Sequence, residues 1–546
     1  MLYILFTVIF LLPVLLGFGS IFMKLSGIYK SNISLKILTG IISITTIFTI
    51  TAFFFPLNVL VEALILFIGL AAFFYFKEYK SVWNFFSEHQ WEFCVLAFIT
   101  VFFGSYYPFI LDHFGYYVPT VKWISEVGLV KGISNLDLVL GQMSMWHIFQ
   151  AGFSNFSDPF LRVNTIVLIT YLIYIFEKKS WINLIFLPVL YLFTQSPSPD
   201  LPVIAFSLMV LNEVWRANTN SVLLFLISIF IFCIKPTLIW VPLFVFLYSL
   251  LILKKSVKFV LPGISILLLF FIKNIWVFGY PVFPMQFLDL GWSWKPNAQL
   301  LKNSAEMAIE KTYDMQFTYS QIDQFSRWDY IKNWFLLEGI KGKINTLFII
   351  SLIVFFVFAL KKNSTLVWIL LVSVVTKSVL VLLFSAQYRF FIDVFFVIFF
   401  VFFVNRFSRK FSMIAFFVMS SVLALFLSYP NLFKNHLPSF RVGSLMGSFK
   451  AEQFILPSTY DWHHYRSYQI GNLDFKVVDG YILSFDIPIP AVSPDYLKEY
   501  HDAGIFPQLK GKTLKEGFIW KNLTPKEKMQ LQEVLENYIL SLDAKK

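Results

Sequence analysis

Four charged residues lie where long apolar runs end, which is a costly place for a charge. They are Asp112 with its neighbour His113, Asp200 in SPSPD, Lys235 in FCIKPT and Arg389 in SAQYRFF. An ionisable group at membrane depth costs roughly a few kcal/mol or more, so such groups usually serve a function. A carboxylate can accept the proton of a hydroxyl, and two cations can hold a phosphate. The residue types therefore predict chemistry on a hydroxyl and a phosphate.

A structural alternative exists for two of these residues. Lys235 could extend its ammonium to the lipid headgroups, and Asp200 could cap a helix that begins at Leu201. Arg389 lies at a predicted helix start, where a cation opposes the helix dipole and is unfavoured unless an anion lies nearby.

The composition defines the elements that must position these side chains. Of 546 residues, 58% are hydrophobic and only 14% are charged, far from the soluble average. Many apolar runs approach the roughly 20 residues that a helix needs to cross a bilayer, and they are too long and too uniformly apolar for barrel strands. We expect an all-α polytopic membrane protein with about fourteen transmembrane helices, the first of them retained and not cleaved as a signal peptide. The predicted spans are 2–22, 38–55, 58–76, 93–111, 160–176, 182–194, 201–215, 221–234, 236–253, 259–277, 345–360, 364–383, 390–404 and 411–429.

Lysine and arginine alternate between the short loops that join these spans. Every second loop is basic, whereas the loops around Pro56, TQSPSPD and SAQYRF contain almost no lysine or arginine. By the positive-inside rule the basic loops face the cytoplasm. The net charge of +12 reflects this pattern, so no nucleic-acid partner is expected.

This topology divides the chain into two predicted domains. Residues 1–430 form the transmembrane core, whose external loops are 112–158 and 278–343, and residues 431–546 form an external, periplasmic C-terminal domain. The alternating stretch DFKVVDGYILSF (474–485) and a helix from Pro525 predict a small α/β fold there.

Several motifs, in the same order, resemble a family of bacterial polytopic membrane proteins described as GT-C-like glycosyltransferases. They are Asp112 followed by Tyr117, VKWISEVGLVKGISNL (121–136), GQMSMWH (141–147), SPSPD (196–200), IKPT (234–237), KNIWVFGYPVFP (273–284) and YRF (388–390). The chain departs from the family pattern at Val118, where histidine is expected, near Val139, where arginine is expected, and at Met143, where asparagine is expected. The resemblance implies a GT-C-like membrane fold, an acidic catalytic residue in the first external loop and a sugar donor carried on a lipid phosphate.

We therefore expect a membrane glycosyltransferase at the external face of the bacterial inner (plasma) membrane. It would move a sugar from a polyprenyl phosphate to a hydroxyl of a cell-surface glycan or lipid. Asp112 is the expected general base, with Asp200 and His113 assisting, and Lys235 and Arg389 would neutralise the lipid phosphate. The expected substrate-binding residues are Tyr117, Lys122, Trp123, Glu126 and Asn135. No metal site or cofactor is predicted, although Asp200 could hold a divalent cation.

Two other functions fit the same sequence. One is an oligosaccharide polymerase or ligase, and the other is a transporter or export subunit without enzymatic activity. A transporter commonly shows paired internal repeats, and none is visible here. Trp292, Trp294, Trp328 and Trp334 in the second external loop are predicted to be interfacial anchors, with sugar stacking as the alternative.

Overall fold

The computed structural model describes residues 1–27, 32–436, 445–460, 462 and 464–543, and these are mostly helical. The helices are α1 (Leu2–Leu25), α2 (Ile33–Phe54), α3 (Val59–Tyr75), α4 (Glu78–Phe103), α5 (Val118–Glu126), α6 (Met145–Ala151), α7 (Asn164–Lys178), α8 (Leu187–Leu190), α9 (Asp200–Trp215), α10 (Ser221–Ile234), α11 (Trp240–Leu247), α12 (Leu261–Phe278), α13 (Ala298–Thr312), α14 (Tyr319–Ile322), α15 (Arg327–Phe335), α16 (Ile340–Lys362), α17 (Thr365–Phe384), α18 (Ile392–Phe403), α19 (Arg409–Ser428), α20 (Pro430–His436), α21 (Pro494–Ala503) and α22 (Pro525–Asp543). The strands are β1 (Tyr465–Ile470), β2 (Leu473–Val478), β3 (Ile505–Leu509) and β4 (Phe518–Asn522).

Six helices in the described part of the chain are long and apolar enough to cross a membrane. They are Leu2–Leu25, Ile33–Phe54, Val257–Phe278, Ile340–Lys362, Thr365–Phe384 and Arg409–Ser428. A seventh span is formed if Val59–Tyr75 and Glu78–His89, which meet at a bend of 73°, count as one. The chain thus has the helices of a multi-pass membrane protein.

The fourteen spans predicted from the sequence are not confirmed, because several apolar runs form short or broken helices. The run 182–194 is broken into short turns around α8, and the run 236–253 divides into a 3-10 turn, α11 and the π turn Tyr248–Ile252. Both runs contain a proline, at Pro188 and Pro242, and such segments can remain apolar because they are buried among other helices.

Glycines bring the first three helices into backbone contact. A methyl group at Gly17 of α1 would overlap the carbonyl of Gly69 in α3, and one at Gly40 of α2 would overlap the carbonyl of Leu15. Small residues at such crossings let helices approach closely, which is how helices commonly associate in a bilayer. The N-terminal helices therefore form a tight group.

The C-terminal region carries two small antiparallel sheets. Strand β1 pairs with β2 and β3 pairs with β4, while α21 and α22 pack against them. Strand β2 lies at the start of the stretch predicted from its alternation, and α22 begins at Pro525 as predicted. The helical chain with a small C-terminal sheet region agrees with the predicted fold class at this level.

Candidate functional site

Two ion pairs bring together the four charged residues that the sequence singled out. Arg389 Nη1 lies 3.3 Å from Asp112 Oδ2, and Lys235 Nζ forms an ion pair with Asp200 Oδ1. The side chains of Arg389 and Asp112 are 43% and 35% exposed, whereas Lys235 and Asp200 are 12% and 20% exposed. One pair is thus open to solvent and the other is mostly covered.

The ring of Phe390 joins the two pairs. Its centroid lies 5.1 Å from the Arg389 guanidinium carbon and 5.5 Å from Lys235 Nζ. Both distances are within the range of cation–π attraction. We call Asp112, Asp200, Lys235, Arg389 and Phe390 the charged cluster.

The amide of Asn164 fixes the turn that carries Asp200. Its Nδ2 donates to the carbonyls of Ser196 at 2.8 Å and Ser198 at 2.9 Å, while Trp146 Nε1 donates to its Oδ1 at 2.8 Å. Asn164 is fully buried, so these bonds have no water to compete with them. The turn ends at the first residue of α9, where the helix dipole favours the Asp200 carboxylate.

Lys235 occupies the break after α10. Its backbone is extended, with φ −147° and ψ 104°, and the next residue is Pro236. A residue before proline is disfavoured in a helix, so the helix stops at Ile234. Ser144 Oγ donates to the carbonyl of Ile234 at 2.7 Å, which satisfies part of this helix end. The ammonium can therefore turn toward Asp200.

The segment 278–343 holds the backbone that leads to Arg389. Ser385 Oγ donates to the carbonyl of Ala308 at 2.9 Å, and the amide of Ala386 donates to Thr312 Oγ1 at 3.2 Å. Trp334 Nε1 donates to the carbonyl of Ala386 at 2.9 Å. Helices α13 and α15 thus fix the chain three residues before Arg389.

A π turn places two tyrosines beside the cluster. Asp112 precedes the turn His113–Tyr117, and π turns are rare elements often found at functional sites. Burial raises the pKa of Tyr117 well above its ordinary value, and the neighbouring Tyr116, Asp112 and Asp200 raise it further. The Tyr117 hydroxyl therefore stays protonated. The Tyr117 ring lies 4.9 Å from that of His147, and burial lowers the pKa of His147 to about 3. The hydroxyls of Tyr116 and Tyr117, which interact with Asp112 and Asp200, therefore stay neutral.

The other predicted site residues lie in different surroundings. His113 is buried, with its ring 4.6 Å from that of Phe114 and its Nδ1 without a hydrogen-bond partner. Lys122 Nζ pairs with Asp486 Oδ1 at 2.8 Å, Trp123 is buried, and Glu126 is exposed. Of the five residues predicted to bind substrate, only Tyr117 interacts with the cluster.

Asn135 joins three segments of the chain. Its Nδ2 donates to the carbonyls of Trp294 at 2.7 Å and Phe518 at 3.4 Å, and its own carbonyl accepts from Tyr500 Oη at 2.9 Å. The structure thus places this predicted substrate residue at the junction between the segments 112–158 and 278–343 and the C-terminal region.

Sequence reasoning missed three residues near the cluster, namely Phe390, Asn164 and Lys311. Phe390 belongs to the YRF motif, but a phenylalanine among 68 gives no signal. Asn164 was detectable only as a polar residue within an apolar run. Lys311, an exposed lysine of α13, interacts electrostatically with Arg389 and Asp112. It adds a third cation to the site.

Acidic, histidine and cysteine side chains do not form a metal site in the described residues, where no group of three or more could hold an ion. The Asp200 carboxylate, which could hold a divalent cation by its type, is bound to Lys235 instead.

Residues 1–396 match a family described as a domain of unknown function (DUF8201). The chain belongs to this family. All five residues of the charged cluster lie inside the matched range, and the two C-terminal sheets lie outside it. No curated protein and no solved structure matches the chain.

Proposed function

We propose that this protein is a membrane glycosyltransferase that moves a sugar from a polyprenyl phosphate to a hydroxyl of a cell-surface glycan or lipid. The observation that carries the proposal is the charged cluster, in which two carboxylates and two cations converge beside candidate membrane spans. A donor attached to a lipid stays in the bilayer, which explains why such a site lies at a membrane. The alternation of basic loops supports an external location in the bacterial inner membrane.

The cations are suited to the departing phosphate. Arg389 offers a planar fork of donors to phosphate oxygens, while Lys235 and Lys311 add point charges. Arg389 is the more exposed cation of the two ion pairs, and its contact to Asp112 is 3.3 Å long. The phosphodiester of the donor carries one negative charge, which would compete with this carboxylate for the guanidinium, and the departing polyprenyl phosphate carries a second. Binding of donor would then release Asp112.

The released carboxylate can then act as the general base. The acceptor hydroxyl oxygen attacks the anomeric carbon of the sugar, and the bond from that carbon to the phosphate oxygen breaks. The bonding electrons leave with the lipid phosphate, which Arg389 and Lys235 neutralise. The hydroxyl proton passes to Asp112. Asp200 stays paired with Lys235 and orients it.

The test compares lipid-linked sugars in cells that carry wild type, a gene deletion or Asp112→Asn. The amide keeps the size of the side chain and loses the proton acceptor, so transfer should slow by roughly two to four orders of magnitude. We expect one polyprenyl-phosphate sugar to accumulate in both the deletion and the Asp112→Asn strain, with the variant present at normal levels in the membrane.

Asp486→Asn is the matched control, because Asp486 is an exposed carboxylate in an ion pair with Lys122 outside the cluster. It should leave the lipid pool unchanged. An unchanged pool in the deletion strain would contradict the proposal. A donor lipid that becomes trapped on the cytoplasmic leaflet would instead indicate a transporter.

A further inference from the structure

Trp328 and Ile331 of helix α15, and Leu336 directly after it, are large apolar side chains that are 67%, 50% and 67% exposed. Residues three and eight positions apart lie on one side of a helix, whereas Trp334 on the other side is buried. Exposed Lys332, four residues after Trp328, lies on the same side. An exposed apolar surface with a basic residue in it marks a contact with protein or membrane.

The end of α15 lies beside the beginning of the membrane span α16. Asn345 Nδ2 donates to the carbonyl of Trp334 at 3.0 Å, and a methyl group at Gly342 would overlap the carbonyl of Phe335. Eleven residues of continuous helix would separate positions 334 and 345 by about 16 Å. The chain therefore folds back, so that the C-terminal end of α15 lies at the depth of the first turns of α16.

The exposed face of α16 shows what surrounds α15. Ile340, Leu347 and Val354 are exposed and lie seven residues apart, on one side of a helix long enough to span a bilayer. This side must face lipid. The apolar face of α15 is adjacent to it along the chain. Exposed Arg327 and Lys332 on α15 can reach lipid phosphates, as basic residues at membrane interfaces do.

We propose that α15 lies in the headgroup region of the leaflet on the side of the charged cluster, with Trp328, Ile331 and Leu336 in contact with acyl chains. The partner of this surface is phospholipid. Because Trp334 is bonded to Ala386, three residues before Arg389, the membrane contact of α15 places Arg389 at the level of lipid phosphates. The placement of Arg389 at the level of lipid phosphates rests on the proposed function, because it lets a lipid-linked phosphate reach Arg389 along α15.

The test uses single spin labels on protein reconstituted in nanodiscs of phosphatidylethanolamine and phosphatidylglycerol. Cys94 and Cys233 are first replaced, because they are the free cysteines. Labels are then placed at Ile331 and Leu336, with exposed Ile350 of α16 as the lipid reference and exposed Ser320 of α14 as the water reference. We expect the ratio of oxygen to nickel-chelate accessibility at Ile331 and Leu336 to approach that of Ile350.

Two results would overturn the proposal. A ratio equal to that of Ser320 would place α15 in water, and exclusion of both reagents would show that protein, such as a second copy of the chain, covers the face. Neither result depends on catalysis, so failure here is distinct from failure of the proposed transfer.

A second measurement avoids labels on α15. Lipids brominated near the glycerol backbone should quench the fluorescence component that Trp328→Phe removes. The component that Trp520→Phe removes, from β4 in the C-terminal region, should remain unquenched. Equal quenching of the two components would contradict a membrane position specific to α15.

Discussion

The pairing of Asp112 with Arg389 determines how each residue can act. A half-exposed ion pair is weak, on the order of 1 kcal/mol or less, so it restrains both side chains at little cost to an incoming anion. The mostly covered Lys235–Asp200 pair is harder to break, because separation leaves a charge in an apolar setting. An incoming anion can therefore break the exposed Asp112–Arg389 pair, whereas the covered Lys235–Asp200 pair stays intact.

Replacement of Arg389 should weaken binding of a polyprenyl phosphate. Arg389→Ala removes a charge-assisted contact and should lower the affinity about tenfold or more. Arg389→Lys should recover part of the loss, since it keeps the charge and loses the planar fork. Binding of decaprenyl phosphate to purified protein in nanodiscs measures both effects. Arg466→Ala, which breaks the exposed pair with Asp479, should bind like wild type. Equal affinity of wild type and both Arg389 variants would remove Arg389 from the site.

Sequence could identify the charged residues of the cluster, since charges at the ends of apolar runs stand out in a chain with few of them. It could not predict which carboxylate pairs with which cation, because Asp112 and Arg389 are 277 residues apart and their contact depends on tertiary packing. The roles predicted for Lys122, Trp123, Glu126 and Asn135 came from a motif alone. The structure shows contacts between segments for three of them, which a motif cannot distinguish from contacts with a ligand.

At the level of elements, the site consists of helix ends and turns. Asp200 begins α9, Lys235 follows α10, and Arg389 lies between α17 and α18. The apolar content of these stretches correctly predicted helices. The apolar content could not predict how many of these helices cross the membrane, because a helix buried among other helices is as apolar as one in lipid.

Replacement of Asn164 should loosen the turn before Asp200. Asn164→Ala leaves the buried carbonyls of Ser196 and Ser198 without their donor, which costs about 1–3 kcal/mol for each group left unsatisfied. We expect a lower melting temperature, together with faster hydrogen exchange in residues 196–201. Asn472→Ala, which removes a more exposed amide bonded to Leu509, is the control and should leave exchange in 196–201 unchanged. Unchanged exchange in the Asn164 variant would show that the prolines alone hold the turn.

The orientation of the protein in the membrane determines on which side the charged cluster lies. A cysteine at Ser320 should react with a membrane-impermeant thiol reagent in cells whose outer membrane is permeabilised, and one at Ser256 should not, because Ser256 follows the basic residues Lys254 and Lys255. Both positions are exposed, and Cys94→Ser supplies the background. Labelling at Ser256 alone would invert the topology.

The contact between the segment 112–158 and the C-terminal region should depend on pH. Burial raises the pKa of Asp137 to about 7, and Asp137 Oδ2 accepts from Ser493 Oγ at 3.2 Å. Burial and neighbouring acidic groups also raise the pKa of Glu499 to about 7. A carboxyl whose pKa is raised in the folded state binds its proton more tightly there. The contribution of these two carboxyls to stability is therefore greatest below about pH 4 and is lost as the pH rises toward about 7, by at most about 4 kcal/mol for Asp137.

Asp137→Asn should remove most of this dependence and make the contact more stable than wild type at pH 8. Hydrogen exchange in residues 494–503 between pH 5 and pH 8, corrected for the intrinsic rate, measures it. Asp486→Asn on the exposed surface should behave as wild type. An equal pH dependence in the Asp137 variant would assign the effect to Glu499 and its neighbours.

The hydrogen bonds that join Asn135 to three segments also affect the order in which the protein can fold during synthesis. Its side-chain amide and the Phe518 carbonyl are 383 residues apart along the chain. At roughly 5–20 residues per second, a ribosome needs about 20–80 s to cover that stretch. During this interval the segment 112–158 has already been synthesised but lacks one of its partners. The hydrogen-bonding groups around Asn135 stay without this partner until β4 has been synthesised, so the packing of this junction is completed late in translation.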